Sequence, residues 1–160
     1  MVASQAVTLA EGYALRRATL LDTRAIRRLH RVIFPRDAYP LLDLGLMQLW
    51  PGVINLKIAA PDGSLAGFIS GTRGLSPQRG WIIMVGVAPA HQRQGLGAYL
   101  LHICEQRLKR PYMRLTVREG NTTAIRLYER TGYTVIDRKW GYYRDGETGL
   151  VMEKRIDFET

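Results

Sequence analysis

Apolar positions along this chain repeat at two periods, and the switches between them outline its elements. Residues 13–19 alternate well enough for a first strand. From residue 23 the spacing becomes helical: Ile26, Leu29 and Ile33 fall on one face, Asp22 or Thr23 stands at the cap, and Pro35 forces an exit near Phe34. Residues 40–50 read as a short second helix stopped by Pro51-Gly52. Residues 53–60 and 65–72 are strand-like, joined by a turn at Pro61-Asp62-Gly63. A fourth strand, 81–87, runs to Pro89, and a helix opens in the glycine turn after it and continues to about Lys109. Residues 112–117 form a fifth strand. Asn121 caps a last helix and Gly132 stops it. Residues 133–138 and 150–156 close the chain as a hairpin pair across Asp145-Gly146. The order β-α-α-β-β-β-α-β-α-β-β predicts a mixed α/β (α+β) fold, a mostly antiparallel central sheet flanked by helices.

Composition narrows the picture. With 160 residues and 46% hydrophobic content, the chain is expected to form one domain over 11–160 after a loose tail, 1–10. No apolar run approaches the roughly 18 residues of a membrane span, so no membrane partner is expected. The single cysteine, Cys104, excludes an intrachain disulfide, fits a reducing cytoplasm, and lies in the helical pattern of Leu100, Ile103 and Leu108 as a small hydrophobe. Net charge is +9. The arginines are scattered rather than gathered into one block, which argues for attraction of an anionic ligand and against a specific nucleic-acid module. His30, His91 and His102 stand at no metal-ligand spacing, so no metal site is expected.

The most informative stretch is V-G-V-A-P-A-H-Q-R-Q-G-L-G, residues 85–97. A strand, a basic glycine turn and a helix N-terminus together bind phosphate groups. Glycine lets the backbone approach, and the first free N–H groups of the helix point outward with the positive dipole end behind them. Ala98 and Tyr99 follow where a triphosphatase loop needs Lys and Ser or Thr, and only one G-x-G is present. Gln92-Arg93-Gln94-Gly95-Leu96-Gly97, preceded by Val87-Ala88-Pro89, resembles the acetyl-CoA signature of the GCN5-related N-acetyltransferase (GNAT) family. The element order is also that family's order.

The resemblance implies roles for particular residues. Gln92, Arg93, Gln94, Gly95, Leu96, Gly97 and Ala98 would cradle the pyrophosphate of acetyl-CoA. Val85, Gly86 and Val87 would pair with its pantetheine arm, on a strand that bulges and splays from the fifth; Gly86 is consistent with that bulge. The stretch N-T-T-A-I-R-L-Y-E-R-T-G-Y, 121–133, is similar to the family's second block, placing Asn121, Ala124 and Tyr128 at the cofactor. Tyr128 is the candidate general acid, since a phenol of pKa near 10 keeps its proton at neutral pH and can pass it to a thiolate.

His30-Arg31-Val32-Ile33-Phe34-Pro35 with Tyr39 is similar to a loop of protein N-terminal acetyltransferases, one residue longer before the tyrosine, and Tyr142-Tyr143 resembles the paired tyrosines of RimI-type enzymes. Phe34, Pro35, Tyr39, Tyr142 and Tyr143 are therefore expected on the acceptor side. One departure matters: Thr116 stands where RimI-type enzymes carry a glutamate base and a eukaryotic type a histidine, and Trp81 where the latter has a tyrosine. Glu119, Asp37 or Glu147 could act through a water, with Glu119 taken as the candidate. An α-amine of pKa near 8 is about one-tenth neutral at pH 7, and a lysine only about once in 2,500 molecules. The missing base therefore favours a protein or peptide N-terminus as acceptor. A small-molecule amine, and a non-catalytic acyl-CoA-binding domain, remain alternatives.

Overall fold

The computed structural model describes residues 7–37 and 40–158. Seven strands form one sheet: β1 (Ala14–Arg17), β2 (Val53–Ala59), β3 (Leu65–Thr72), β4 (Arg79–Val87), β5 (Tyr112–Arg118), β6 (Thr134–Lys139) and β7 (Gly149–Arg155). Their spatial order is β1-β2-β3-β4-β5-β7-β6, antiparallel except where β4 meets β5. The helices are α1 (Thr23–Ile33), α2 (Leu41–Leu49), α3 (Leu96–Leu108) and α4 (Thr122–Arg130). This is the predicted order and class. No helix among the described residues is long and apolar enough to cross a membrane.

Two local expectations change. Asp22 occupies the position before α1, but its carboxylate does not cap the helix; it accepts from the Thr19 backbone N–H and pairs with Lys57 on β2. A short 3₁₀ turn, Leu20–Asp22, precedes the helix instead. The bulge is not at Gly86. That residue pairs in register with Phe68, whereas Ser70 opposes Met84 and Gly71 opposes Ile82, so Ile83 is the extra residue. Gly86 answers a packing demand: a Cβ there would lie 2.7 Å from Ile33 Cδ1 of α1 and 3.1 Å from the Phe68 ring.

Side-chain alternation divides the sheet between two layers. On one face Ile69 joins Leu96, Leu100, Leu101, Cys104 and Leu108 of α3, with Tyr128 of α4 in the same cluster. Gly71 lets α3 come close, since a Cβ there would fall 2.7 Å from Cys104 Sγ. Burial pushes the Cys104 thiol up to about 12, which leaves it the inert hydrophobe its helical spacing predicts. On the opposite face Phe68 and Met84 meet Ala18, Ile26 of α1 and Leu44 of α2. Where β4 and β5 run parallel, pairing covers only Arg79, Gly80 and Trp81 against Tyr112, Met113 and Arg114. Past Trp81 the strands part, and the site lies in the opening.

Candidate active site

The parted strands leave a cleft of about 310 Å³. Five segments wall it: Trp81, Ile82, Ile83, Met84 and Val85 from β4; Thr116, Val117 and Arg118 from β5; Asn121 and Tyr128 from α4; His30, Phe34 and Asp37 from α1 and its exit; and Tyr142 and Tyr143 from the loop between β6 and β7. The segment of β4 beyond Trp81 has no strand partner on its β5 side, so its backbone polar groups there are available to a ligand.

The glycine turn leads from β4 into α3. Arg93 and Gly95 both adopt the left-handed conformation, φ 64° and 75°, so the backbone turns sharply into the helix. An arginine held in that region is mildly strained, a cost that concentrates at ligand-binding turns. Gln92 Nε2 donates to the Val87 carbonyl at 3.2 Å, tying the turn back to β4. Tyr13 and His91 hydrogen-bond at 2.8 Å and pin it to the start of β1. Gly97 faces α4, where a Cβ would sit 3.0 Å from Leu127 Cδ2. The N–H groups of Leu96, Gly97 and Ala98 belong to the first turn of α3 and have no partner within the helix. The turn therefore suits a phosphate-bearing ligand: open backbone donors, the positive helix end and the Arg93 charge in one place.

In α4, Asn121 accepts from the Ala124 backbone N–H at 3.2 Å and starts the helix as its spacing predicts. Gly132, at φ 104°, ends it. Tyr128 is 8% exposed and packs edge-on to Tyr133, 6.0 Å between centroids. Its hydroxyl has no hydrogen-bond partner among the described residues. Burial, reinforced by Tyr143, raises its pKa above the ordinary phenol value, so it holds its proton throughout the neutral range.

Charges gather at the opposite wall. Arg118 donates from Nε and Nη2 to the two oxygens of Asp37, both at 2.6 Å. Its Nη1 donates to Asp145 at 2.9 Å and Glu147 at 2.8 Å. The guanidinium lies 4.1 Å from the Tyr143 ring centroid. Burial and the nearby Asp37 carboxylate push the Tyr143 phenol up to about 12. Hydrogen bonds from Arg118 hold the Asp145 and Glu147 carboxyls below the usual range. His30 packs between the rings of Phe34 and Phe68, at 5.0 and 6.2 Å. Burial lowers its pKa despite the attraction of Asp37, so the imidazole is neutral at pH 7.

Of the residues singled out from sequence, Val85, Asn121, Tyr128, Phe34, Tyr142 and Tyr143 line this cleft. Gln92 to Ala98 form the turn from β4 into α3 and the start of that helix and are not among the lining residues, Ala124 is half-buried on α4, and Pro35 is exposed beside Phe34. Tyr39 lies outside the described residues. Thr116 lines the cleft, as the alignment with the family's base position implies. Glu119 does not: it is exposed and paired with Arg138. His30 and Arg118 are brought in by the fold. Arg118 stands three residues before Asn121 in L-T-V-R-E-G-N, but its three carboxylates come from segments that no spacing connects to it. No group of side chains suited to a metal ion occurs among the described residues.

Comparison with known proteins agrees with this geometry. The model of the acetyltransferase (GNAT) family matches residues 23–133. N-alpha-acetyltransferase 20 of Dictyostelium discoideum is 32% identical over 120 residues, 71% of this chain and 68% of that protein. An N-alpha-acetyltransferase of Sulfurisphaera tokodaii is 27% identical over 154 residues, covering 88% and 91%. Among solved structures, Arabidopsis thaliana NAA60 in complex with acetyl-CoA superposes with a TM-score of 0.79 at 19% identity, covering 90% of this chain and 98% of that one. The chain belongs to the acetyltransferase (GNAT) family.

Proposed function

We propose that this enzyme transfers an acetyl group from acetyl-CoA to the α-amine of a protein or peptide N-terminus, by direct attack in a ternary complex. One observation carries the reading. The cleft has the open β5-side edge of β4 and a protonated Tyr128 in its wall together with Phe34, Tyr142 and Tyr143 from two loops, and β4 runs on from it into the phosphate-suited turn. The names of the curated relatives support the α-amine as acceptor.

Acetyl-CoA would supply a thioester whose acyl carbon accepts the amine and whose sulfur leaves. The chain's own groups meet the remaining needs. Residues 92–98 hold phosphate through backbone N–H groups and Arg93. The stretch of β4 open on its β5 side, with Val85, Gly86 and Val87, offers backbone polar groups on that edge to an extended arm. Tyr128 gives its phenolic proton to the departing sulfur and is reprotonated from solvent. Phe34 and the Tyr142-Tyr143 pair wall the place of the first acceptor residue, and Asn121 and Ala124 set the height of Tyr128 in the cleft.

Proton removal from the amine needs least from the chain. Asp37 is held bidentate on Arg118, and Glu119 faces away towards Arg138, so neither carboxylate is poised to take it. An α-amine is already about one-tenth neutral at pH 7, so the reaction can draw on that fraction. The test is thiol release from acetyl-CoA with two peptides of one sequence, the first with a free α-amine, the second N-terminally blocked and carrying an internal lysine. Turnover confined to the first is expected. Turnover on small amines but neither peptide would move the acceptor assignment, and none at all would point to a CoA-binding protein.

A further inference from the structure

The acceptor side of the cleft is built from two loops distant in sequence, and Arg118 reaches both. Arg118 sits at the end of β5, and its side chain is 10% exposed. Its fork meets Asp37 from the α1 exit on one side and Asp145 and Glu147 from the β6–β7 loop on the other. Arg36, itself in the α1 exit and 63% exposed, adds a second link, to Asp145 at 3.0 Å and Glu147 at 3.5 Å; Arg118 is the more buried of the two cations and the one carried by the sheet. Glu147 also accepts from the Gly120 N–H at 2.9 Å, fastening the β6–β7 loop to the turn that starts α4. Tyr143 closes one face of the guanidinium. A planar, five-donor fork suits this task, because it holds one carboxylate bidentate while its remaining donors serve others in a fixed direction; an ammonium is a compact point charge without that bidentate fork.

We propose that Arg118 is the positioning residue of the acceptor side, an ionic tie that holds the α1-exit loop and the β6–β7 loop at the separation a peptide N-terminus requires. The inference rests on the peptide-acceptor reading above. Arg118 need not touch the reacting atoms. Its effect runs through Asp37, next to Phe34 and Pro35, and through Asp145 and Glu147, next to Tyr142 and Tyr143. The phosphate turn leads into α3 and Tyr128 stands on α4, and both helices pack against the sheet through apolar side chains that are not part of the tie. Its loss therefore separates the two substrates: acceptor binding suffers and cofactor binding does not. A residue needed merely for folding would depress both.

Two variants test this. Asp37→Asn keeps the volume but removes the charge, and Arg118→Lys keeps the charge but loses the fork. Both are expected to raise the KM for peptide by about tenfold, since loss of orientation in a site is costly, while the affinity for acetyl-CoA stays unchanged. Hydrogen exchange reads the tie without any substrate. In either variant the amides of residues 36–37 and 141–147 should lose protection together, with β3 and α3 unaffected. Separate loosening of one loop, or an unchanged peptide KM with wild-type exchange, would overturn the proposal. If the wild-type enzyme ignores the peptide altogether, the acceptor reading fails, and concerted exchange in the two loops still decides whether the tie exists.

Discussion

The two faces of the sheet are held together by different physics. On the α3 face, Leu96, Leu100, Leu101, Cys104 and Leu108 are all at most 2% exposed, and glycines on β3 bring the helix close to the strands. On the α1–α2 face the core is small, and Leu42, Leu46, Leu49 and Trp50 of α2 and its end are more than half exposed. Further along that face the α1 exit is joined to the β6–β7 loop by ion pairs. Packed side chains give one fixed geometry, because a well-filled interior forfeits contacts if it moves. Ion pairs at a rim hold a geometry that a few substitutions can retune. In the proposed reading, the cofactor side is thus the rigidly packed half of the site and the acceptor side the adjustable half.

The sharpest way to break that contrast is to truncate one leucine on each face. Leu100→Ala should cost about 3 kcal/mol of stability, by lost transfer energy and a residual cavity. Leu46→Ala, 52% exposed, should stay within about 0.5 kcal/mol, as exposed substitutions usually do. Urea unfolding of the two variants measures both, and equal losses would show that α2 is as tightly held as α3. At the boundary between the halves, Tyr128→Phe should lower kcat by about a hundredfold, within the range of general acid–base contributions, and leave acetyl-CoA binding unchanged. Single-turnover kinetics with calorimetry would separate the two, and a normal chemical step would remove the acid assignment.

The smallest expected effect concerns His30. Its folded pKa lies below the ordinary value of 6.5, because burial disfavours the charged form. Below pH 6.5 the unfolded chain therefore takes up a proton that the folded chain refuses. The stability contribution is intact above pH 6.5 and declines as pH falls towards the folded pKa. His30→Gln should flatten this acid slope in thermal melts between pH 5 and about 7. The same variant sharpens the account of the amine proton. If the acceptor's own neutral fraction governs the rate, kcat/KM rises through a pKa near 8 in both enzymes; a profile altered by the substitution would give the imidazole a part in proton removal.

What could be read in advance follows the range of the interactions involved. Turns, caps and helix faces depend on neighbours within about four residues, so the glycine turn at 92–98, the Asn121 cap and the Tyr128 face were legible, and with them the order of elements. Gly86 illustrates the limit. A glycine in a strand reads as a bulge, but the reason for it is the Ile33 side chain of α1, more than fifty positions earlier, and the bulge falls at Ile83. Glu119 illustrates another. It adjoins the cleft residue Arg118 in sequence, yet it lies in the turn just past the end of β5, exposed, and meets Arg138 instead.

From its own local patterns, therefore, the chain determines its elements, the phosphate-suited turn and the place of Tyr128 on α4, because each needs only a short run of backbone and its periodicity. Tertiary structure alone decided where β4 and β5 part, that a buried neutral His30 faces the cleft, and that Arg118 gathers Asp37, Asp145 and Glu147 from two loops. Those outcomes depend on contacts across long sequence separations, whose partners no spacing rule can name before the sheet has assembled.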